Sequence, residues 1–586
     1  MKKAILMSAV LLMASAASIL AKADTVLVKD GKSNYQIVLP KGSSPSEHRA
    51  AAELKEHIRL ISGATLPIVS EKTGPAILIG GGAAPRDVDI SGLGDEGFVI
   101  KTIGEDLVIA GGRLRGTMYG VDGFLEDVLG CRWYSAQVSK IPKMRTIAVP
   151  ALDIRETPAF EYREPFFTEA WDKDWAARNR VNGQATRLDR STGGKITYYP
   201  FVHTFFRLVP VEKYGESHPE YFSLVDGKRV GGERSQLCLT NPDVLRIATE
   251  TVLQWIDEHP EAKIYSVSQN DCHNNCQCDN CRAVEEEEGS PSGLVLRFVN
   301  AIAAEVAKKS PDKLIDTLAY QYTEKPPKIT KPADNVRVRM CPIGACQAHP
   351  YEKCPKDASV VSNLKAWHQI TDNLYIWHYN ISFGHYLIPF PDFEELGADA
   401  DMYHRNGVKG VFWQGDYSSG GGGEFAELRS WVLAKLSWNT KADWSALVDD
   451  FMNSYYGKAA PYIRQYFDIL HKEVREKNIH FNCGLNTKSE LFSPKIIAES
   501  VRLLDRAEKA AKDDEALDRV KKVRLGIDYV RLMQPIENKE TKGREKELLA
   551  GWDEFVSRCK HYGITNLNEW SGIDSTYADV KKKLGG

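Results

Sequence analysis

Asp271 closes the apolar run Ile264-Tyr265-Ser266-Val267 through a polar tip, Ser268-Gln269-Asn270-Asp271. A carboxyl group at a strand end, screened by rings, can carry the raised pKa needed to protonate a leaving oxygen. Cleaving a glycosidic bond usually takes such an acid and a second group across the anomeric carbon, acting as nucleophile or water activator. The chain offers three candidates for that second group. They are Glu164 in Tyr162-Arg163-Glu164-Pro165, His378 in Trp377-His378-Tyr379-Asn380, and Asp416 in Trp413-Gln414-Gly415-Asp416. Structural uses compete with these roles: Asp271 can cap its loop, and Glu164 can be paired with a neighbouring arginine.

Groups suited to holding a sugar crowd the same tips. Arg163, with Arg178 and Arg180, offers a guanidinium fork for a sugar carboxylate. His203 follows Tyr198-Tyr199-Pro200-Phe201-Val202 and can bond a hydroxyl, or be a buried histidine satisfied by backbone. Tyr320 and Tyr322 share a strand face by the two-residue period, and a tyrosine nucleophile is the exception that sialidases use. Asn270, Trp377, Trp413 and Gln414 complete the expected sugar-binding set, with the rings stacking on apolar sugar faces. Cys272, Cys276, Cys278 and Cys281 cluster directly after Asp271. Their spacing allows a structural thiolate zinc site, whereas an oxidising destination favours disulfides. No cofactor is expected in the chemistry, because no separate His/Asp/Glu constellation with ligand spacing appears.

These tips need a scaffold that gathers strand ends. Short apolar strands ending in polar or aromatic tips, each followed by a helix-like stretch, are the pattern of a (β/α)8 barrel, whose site lies at the C-terminal mouth. The predicted fold is therefore α/β, with a central TIM-type barrel over 151–440 whose strands end near Phe167, His203, Leu239, Asp271, Tyr322, Met340, Asn380 and Gln414. Residues 24–150 read as an N-terminal α/β domain. There Ser44-Pro45-Ser46-Glu47 predicts a capped helix with Ala50, Leu54, Ile58 and Ile61 on one face and Gly63 closing it. Residues 441–586 carry helical periodicity, notably Ile496–Ala511 and Ala516–Met533, and predict a C-terminal all-α domain.

Several motifs make a resemblance specific. Ala51-Ala52-Glu53-Leu54, Asp95-Glu96-Gly97-Phe98 and Gly112-Arg113-Leu114-Arg115-Gly116-Thr117 resemble the N-terminal domain that precedes the barrel in family 20 hexosaminidases and family 67 α-glucuronidases. Tyr162-Arg163-Glu164-Pro165, His218-Pro219-Glu220-Tyr221-Phe222, Ser268-Gln269-Asn270-Asp271 and Gly289-Ser290-Pro291-Ser292 resemble the bacterial domain of unknown function 4838, a family of exported glycosidase-like barrels. The resemblance implies an exo-acting glycoside hydrolase taking a terminal sugar from a glycan. Sialic acid or another acidic sugar ranks above N-acetylhexosamine. Where family 20 enzymes end the fourth strand with two acidic residues, this chain has Asn270-Asp271. The resemblance also implies acidic residues at His378 and Trp413, and their replacement supports an alternative, a non-catalytic glycan-binding protein on the same barrel.

Composition bounds the rest. Lys2 and Lys3, the apolar run Ala4–Leu20 and Ala21-Lys22-Ala23 predict a secretory signal over 1–23, hence a periplasmic or secreted protein with no membrane attachment once it is cleaved. A net charge of −3 gives no basic surface of the kind nucleic acid needs.

Overall fold

The computed structural model describes residues 24–585; the expected signal segment lies outside the described residues. Ser44 caps the helix Pro45–Ser62. Its hydroxyl accepts from the Glu47 N–H while the Glu47 carboxylate accepts from the Ser44 N–H, and Gly63 ends the helix at φ 85°, as the sequence predicts. The buried face of this helix shares a core with Ile77, Ile79, Phe98 and Ile109 of a six-stranded sheet. That sheet runs, in spatial order, Asp153–Glu156, Phe98–Ile103, Asp106–Gly111, Ala76–Ile79, Gln36–Val38 and Ile68–Val69. Its edge strand Asp153–Glu156 pairs antiparallel with Phe98–Ile103, which carries the sheet past the boundary expected at 150.

A second sheet holds six strands, all parallel. In spatial order they are Tyr162–Phe166, Val408–Gln414, Leu374–Tyr379, Val336–Cys341, Leu314–Tyr320 and Ile264–Ser266. The other two expected strands are not regular. The stretch before His203 meets Ile264 through a single bridge at Tyr198, and Leu237, beside the expected end at Leu239, bridges antiparallel to Phe222. Between the two edges of the sheet the backbone is irregular. Asn182 donates its N–H to the Arg163 carbonyl and Ile196 donates its own to the Asn182 carbonyl. Gly183, Gly193, Gly194 and Pro200 fall in this stretch, and neither glycine nor proline sustains a regular ladder.

Side chains alternate across the parallel sheet. Tyr162, Tyr375 and Phe412 point to its inner side and pack with Tyr198 and Ile264. Val338, Met340, Ile376, Val411 and Trp413 join the core shared with the surrounding helices. Those helices include Pro291–Lys309, Phe393–Arg405 and Ala426–Trp438. The helices that follow, from Trp444–Tyr456 to Asp514–Glu537, bury Val448, Phe467, Leu503 and Val530 in that same core, so they thicken the helical layer. The last two, Glu545–His561 and Ile573–Lys583, close on a smaller core of Tyr529, Trp552, Phe555 and Leu567.

Glu96 joins the two sheets. It accepts from Arg115 Nε at 2.7 Å, from Arg163 Nη1 at 2.7 Å and from Asn182 Nδ2 at 2.9 Å. Burial alone would raise its pKa, but the two guanidiniums hold the carboxyl down at about 2. The close approach behind it requires glycine, since a Cβ on Gly116 would lie 2.3 Å from the Gly97 carbonyl oxygen. Two of the motifs that carry the family resemblance, Asp95-Glu96-Gly97-Phe98 and Arg115-Gly116-Thr117, thus lie at the joint between the two sheets.

Candidate active site

A cavity of about 410 Å³ opens at the C-terminal ends of the parallel strands, the end of a parallel α/β sheet at which ligands gather. Asp271, His203, Tyr320, Trp377 and Gln414 line it, five residues predicted from their strand-tip positions. Beneath it Arg339 pairs with Asp316 at 2.7 Å, both buried. The Arg339 guanidinium lies 4.5 Å from the Phe201 ring centroid and 5.4 Å from that of Trp377. The floor is therefore a set of rings backed by a buried ion pair.

Asp271 accepts a 2.9 Å hydrogen bond from the Tyr320 hydroxyl. Burial, and then the charge of Asp271, raise the Tyr320 pKa, so the phenol keeps its proton and acts as a donor. His203 stands at φ 53°, with its N–H donating to Ser268 Oγ at 2.9 Å and Nδ1 2.8 Å from the Gln269 carbonyl oxygen. A carbonyl only accepts, so Nδ1 carries the proton and Nε2 is left as an acceptor. Burial lowers the His203 pKa and keeps the ring neutral.

The cavity is completed by two residues that the sequence reading missed. Glu569 and Trp570 line it from the loop between the last two helices. That loop is fixed by the Glu569 N–H donating to the Phe383 carbonyl at 2.9 Å, by Thr565 N–H to the Ser419 carbonyl at 2.8 Å, and by Asn568 Oδ1 accepting from the N–H groups of Trp570 and Ser571. Glu569 Oε1 accepts from Tyr417 at 3.3 Å. Burial pushes the Glu569 carboxyl above its ordinary range; the Tyr417 hydrogen bond opposes this and the charge of Asp271 adds to it. Trp570 is 72% exposed, an indole at the rim of a cavity that also holds two carboxyl groups. The run Asn566-Leu567-Asn568-Glu569-Trp570 has the same polar-and-aromatic make-up as the barrel tips, which is the signal that was present.

Other expected site residues lie elsewhere. His378 is fully buried on the outer side of its strand, with Nδ1 2.8 Å from the Tyr403 hydroxyl and Nε2 3.2 Å from Glu395. Trp413 likewise faces the helices and donates to Ser437 Oγ at 2.9 Å. Arg163 is taken up by Glu96, Arg178 by Glu53 at 2.9 Å and Arg180 by Glu126 at 3.3 Å, so no guanidinium fork forms at the mouth. Asn270 is spent on scaffolding, donating to the Ser235 carbonyl at 2.6 Å and accepting from Phe206 N–H. Tyr322 leaves the cavity because the strand ends at Tyr320 and a 3-10 turn, Gln321–Thr323, breaks the two-residue period. Glu164 is buried beside Tyr162, whose hydroxyl donates to it, and Asp416 accepts from Ser419. Burial raises both carboxyls, but neither lines the cavity.

The thiol cluster is recomposed. Cys238, Cys276, Cys278 and Cys281 present sulfurs within 4.8 Å of one another; Cys272 instead accepts from Gln236 Nε2. The Cys238 sulfur is 3.7 Å from that of Cys278 and 3.9 Å from that of Cys281. Sulfurs in a disulfide are about 2.05 Å apart, whereas thiolates around one zinc ion at about 2.3 Å stand at this wider spacing. All eleven cysteines are free thiols.

The family model described as domain of unknown function DUF4838 matches residues 133–468. The chain belongs to the DUF4838 family. The model for the N-terminus of glycosyl hydrolase family 67 matches residues 23–122 of this DUF4838 protein. No curated protein matches it in sequence. Its fold is similar to that of BtGH115A, a GH115 4-O-methyl-α-glucuronidase with specificity for decorated arabinogalactans. The TM-score is 0.59 at 14% identity, over 92% of this chain and 77% of that one. It is also similar to a GH138 enzyme targeting pectin rhamnogalacturonan II (TM-score 0.52, 11% identity, 94% and 79% covered). CpGH89 from Clostridium perfringens, in complex with its substrate GlcNAc-α-1,4-galactose, gives 0.50 at 13% identity, with 88% and 65% covered. At such identities the likeness is one of fold.

Proposed function

We propose that this DUF4838 protein is an exo-acting glycoside hydrolase in which Glu569 is the proton donor and Asp271 the second carboxylate. The observation that carries the reading is the meeting of two carboxyl groups in one ring-lined cavity of small-ligand size. Their environments divide the roles. Glu569 is half-buried with a raised pKa, which suits an acid. Asp271 accepts a hydrogen bond from the Tyr320 phenol across the same cavity, a position that suits the second carboxylate. This reverses the expected role of Asp271 as donor. Similarity in fold to three glycoside-active enzymes supports the reaction class. The expected marks of lost catalysis, His378 and Trp413, are outside the cavity, so they do not favour a binding-only protein.

Among the described residues, no arginine or lysine lines the cavity. A cavity that offers carboxyl groups and no cation leaves the carboxylate of an acidic sugar without a partner, so the substrate we propose is a neutral terminal sugar such as an N-acetylhexosamine, ahead of sialic or uronic acid. In this reading the protein works outside the cytoplasm, as the 1–23 segment predicts, and the Cys238 cluster holds structural zinc that takes no part in the reaction.

Incubating the purified protein with aryl glycosides and glycans ending in hexosamine, hexose, uronic acid or sialic acid is expected to release a neutral sugar. Release of an acidic sugar alone would reverse the sugar assignment. Tight binding in calorimetry with no release from any substrate would replace the enzyme by a glycan-binding protein. Trp570→Ala is expected to raise KM roughly 2- to 10-fold with kcat nearly unchanged, the range set by about 0.5–1.5 kcal/mol for a ring contact. An unchanged KM would remove the indole from the sugar site.

A further inference from the structure

A second cluster of soft ligands lies apart from the thiol cluster discussed above. Cys346, His349 and Cys354 occupy the loop that follows the strand Val336–Cys341, and His480 follows the helix Ala460–Lys477. The four ligand atoms are within 4.8 Å of one another. Cys346 Sγ is 3.5 Å from His349 Nδ1 and 3.3 Å from His480 Nδ1, and Cys354 Sγ is 3.7 Å from His480 Nδ1. With Zn–S of about 2.3 Å and Zn–N of about 2.0–2.1 Å, the edges of a tetrahedral Cys2His2 site come to about 3.4–3.8 Å. Both cysteines are buried free thiols. The Ala348 N–H donates to Cys346 Sγ at 3.4 Å, and Asp357 Oδ1 fixes the loop by accepting from the Cys346 N–H at 3.0 Å.

We propose that Cys346, His349, Cys354 and His480 form a closed, structural zinc site. All four positions are protein ligands, so no open coordination site remains for substrate or water. The consequence is mechanical. Ile343, in the same loop, lines the sugar cavity. Next to His480, Phe481 accepts from the Gln347 N–H at 2.7 Å, and Cys483 accepts from Phe383, whose own carbonyl holds Glu569. The ion would pin the barrel loop and the helical layer together at the wall from which the Glu569 loop hangs.

Metal analysis and native mass spectrometry of the full-length protein are expected to find two zinc ions per chain. His480→Ala and Cys354→Ser each lose one ion, while Cys281→Ser loses the other. Retention of the wild-type metal content by His480→Ala overturns the proposal, as does a Cys346–Cys354 disulfide in a peptide map. If the variants do not fold, zinc-edge X-ray absorption of the wild-type protein decides. A mixed sulfur and nitrogen shell supports the site, and a shell of sulfur alone, or no bound zinc, overturns it.

Discussion

Glu569→Gln is expected to lower kcat by about 10²- to 10⁴-fold on glycosides with a poor leaving group, the range that a positioned acid contributes. An aryl leaving group that departs without protonation should lose far less, because the missing proton no longer matters to the step. The pH profile gives a second signature. An acid must be protonated to act, so activity falls as pH rises through the Glu569 pKa, and burial places that limb above the ordinary carboxyl range. In the variant the limb disappears. Asp271→Asn should lose activity on both classes of leaving group, since a nucleophile or base is needed whatever departs. If Glu569→Gln cleaves both classes as well as the wild type does, the acid lies elsewhere and the role division fails.

Removing the carboxylate at the joint between the sheets carries the largest expected cost in stability. Glu96→Ala leaves Arg115 and Arg163 buried without their partner, and breaking a buried ion pair in this way costs about 3–5 kcal/mol. Denaturant unfolding checks the size, and an effect below about 1 kcal/mol would show that water replaces the lost contacts. The pH dependence has a defined sign. The folded-state pKa of about 2 lies below the ordinary value of 4.5. The carboxylate therefore contributes in full above that ordinary value, and the contribution is lost as pH falls through the folded value. The gap in stability between wild type and Glu96→Gln should accordingly close between about pH 4.5 and pH 2, and a gap that stays constant would sink the linkage.

Local chemistry was legible in the sequence and tertiary meeting points were not. The Ser44–Gly63 helix follows from its capping box and its apolar period, both written within twenty residues. Strand tips were legible too, hence Asp271, His203, Tyr320, Trp377 and Gln414. What the tips did not settle was parity. Trp377 and His378 are adjacent, as are Trp413 and Gln414, and in each pair one residue faces the cavity and the other the helices. A two-residue period read from Tyr375 or Phe412 separates them, but only once one residue's side is known. Tyr322 fails for the opposite reason, since a turn interrupts the period that was assumed. Glu569, Cys238 and His480 carry no local mark of their partners. Each reaches its site because a distant segment packs there, and sequence spacing holds no information about such a meeting. Apolar content suggests a strand before His203, whereas Gly183, Gly193, Gly194 and Pro200 in the stretch leading to it forbid a continuous ladder.

The loop that carries Glu569 and Trp570 sits between the final two helices, far along the chain from Asp271. On the proposed reading, synthesis therefore delivers a sugar-shaped hollow long before it delivers the means to cleave anything. A nascent chain, or a copy clipped by a protease ahead of residue 565, carries Asp271 and the strand-tip rings but lacks both Glu569 and Trp570. On that reading, turnover reports on the integrity of the whole polypeptide.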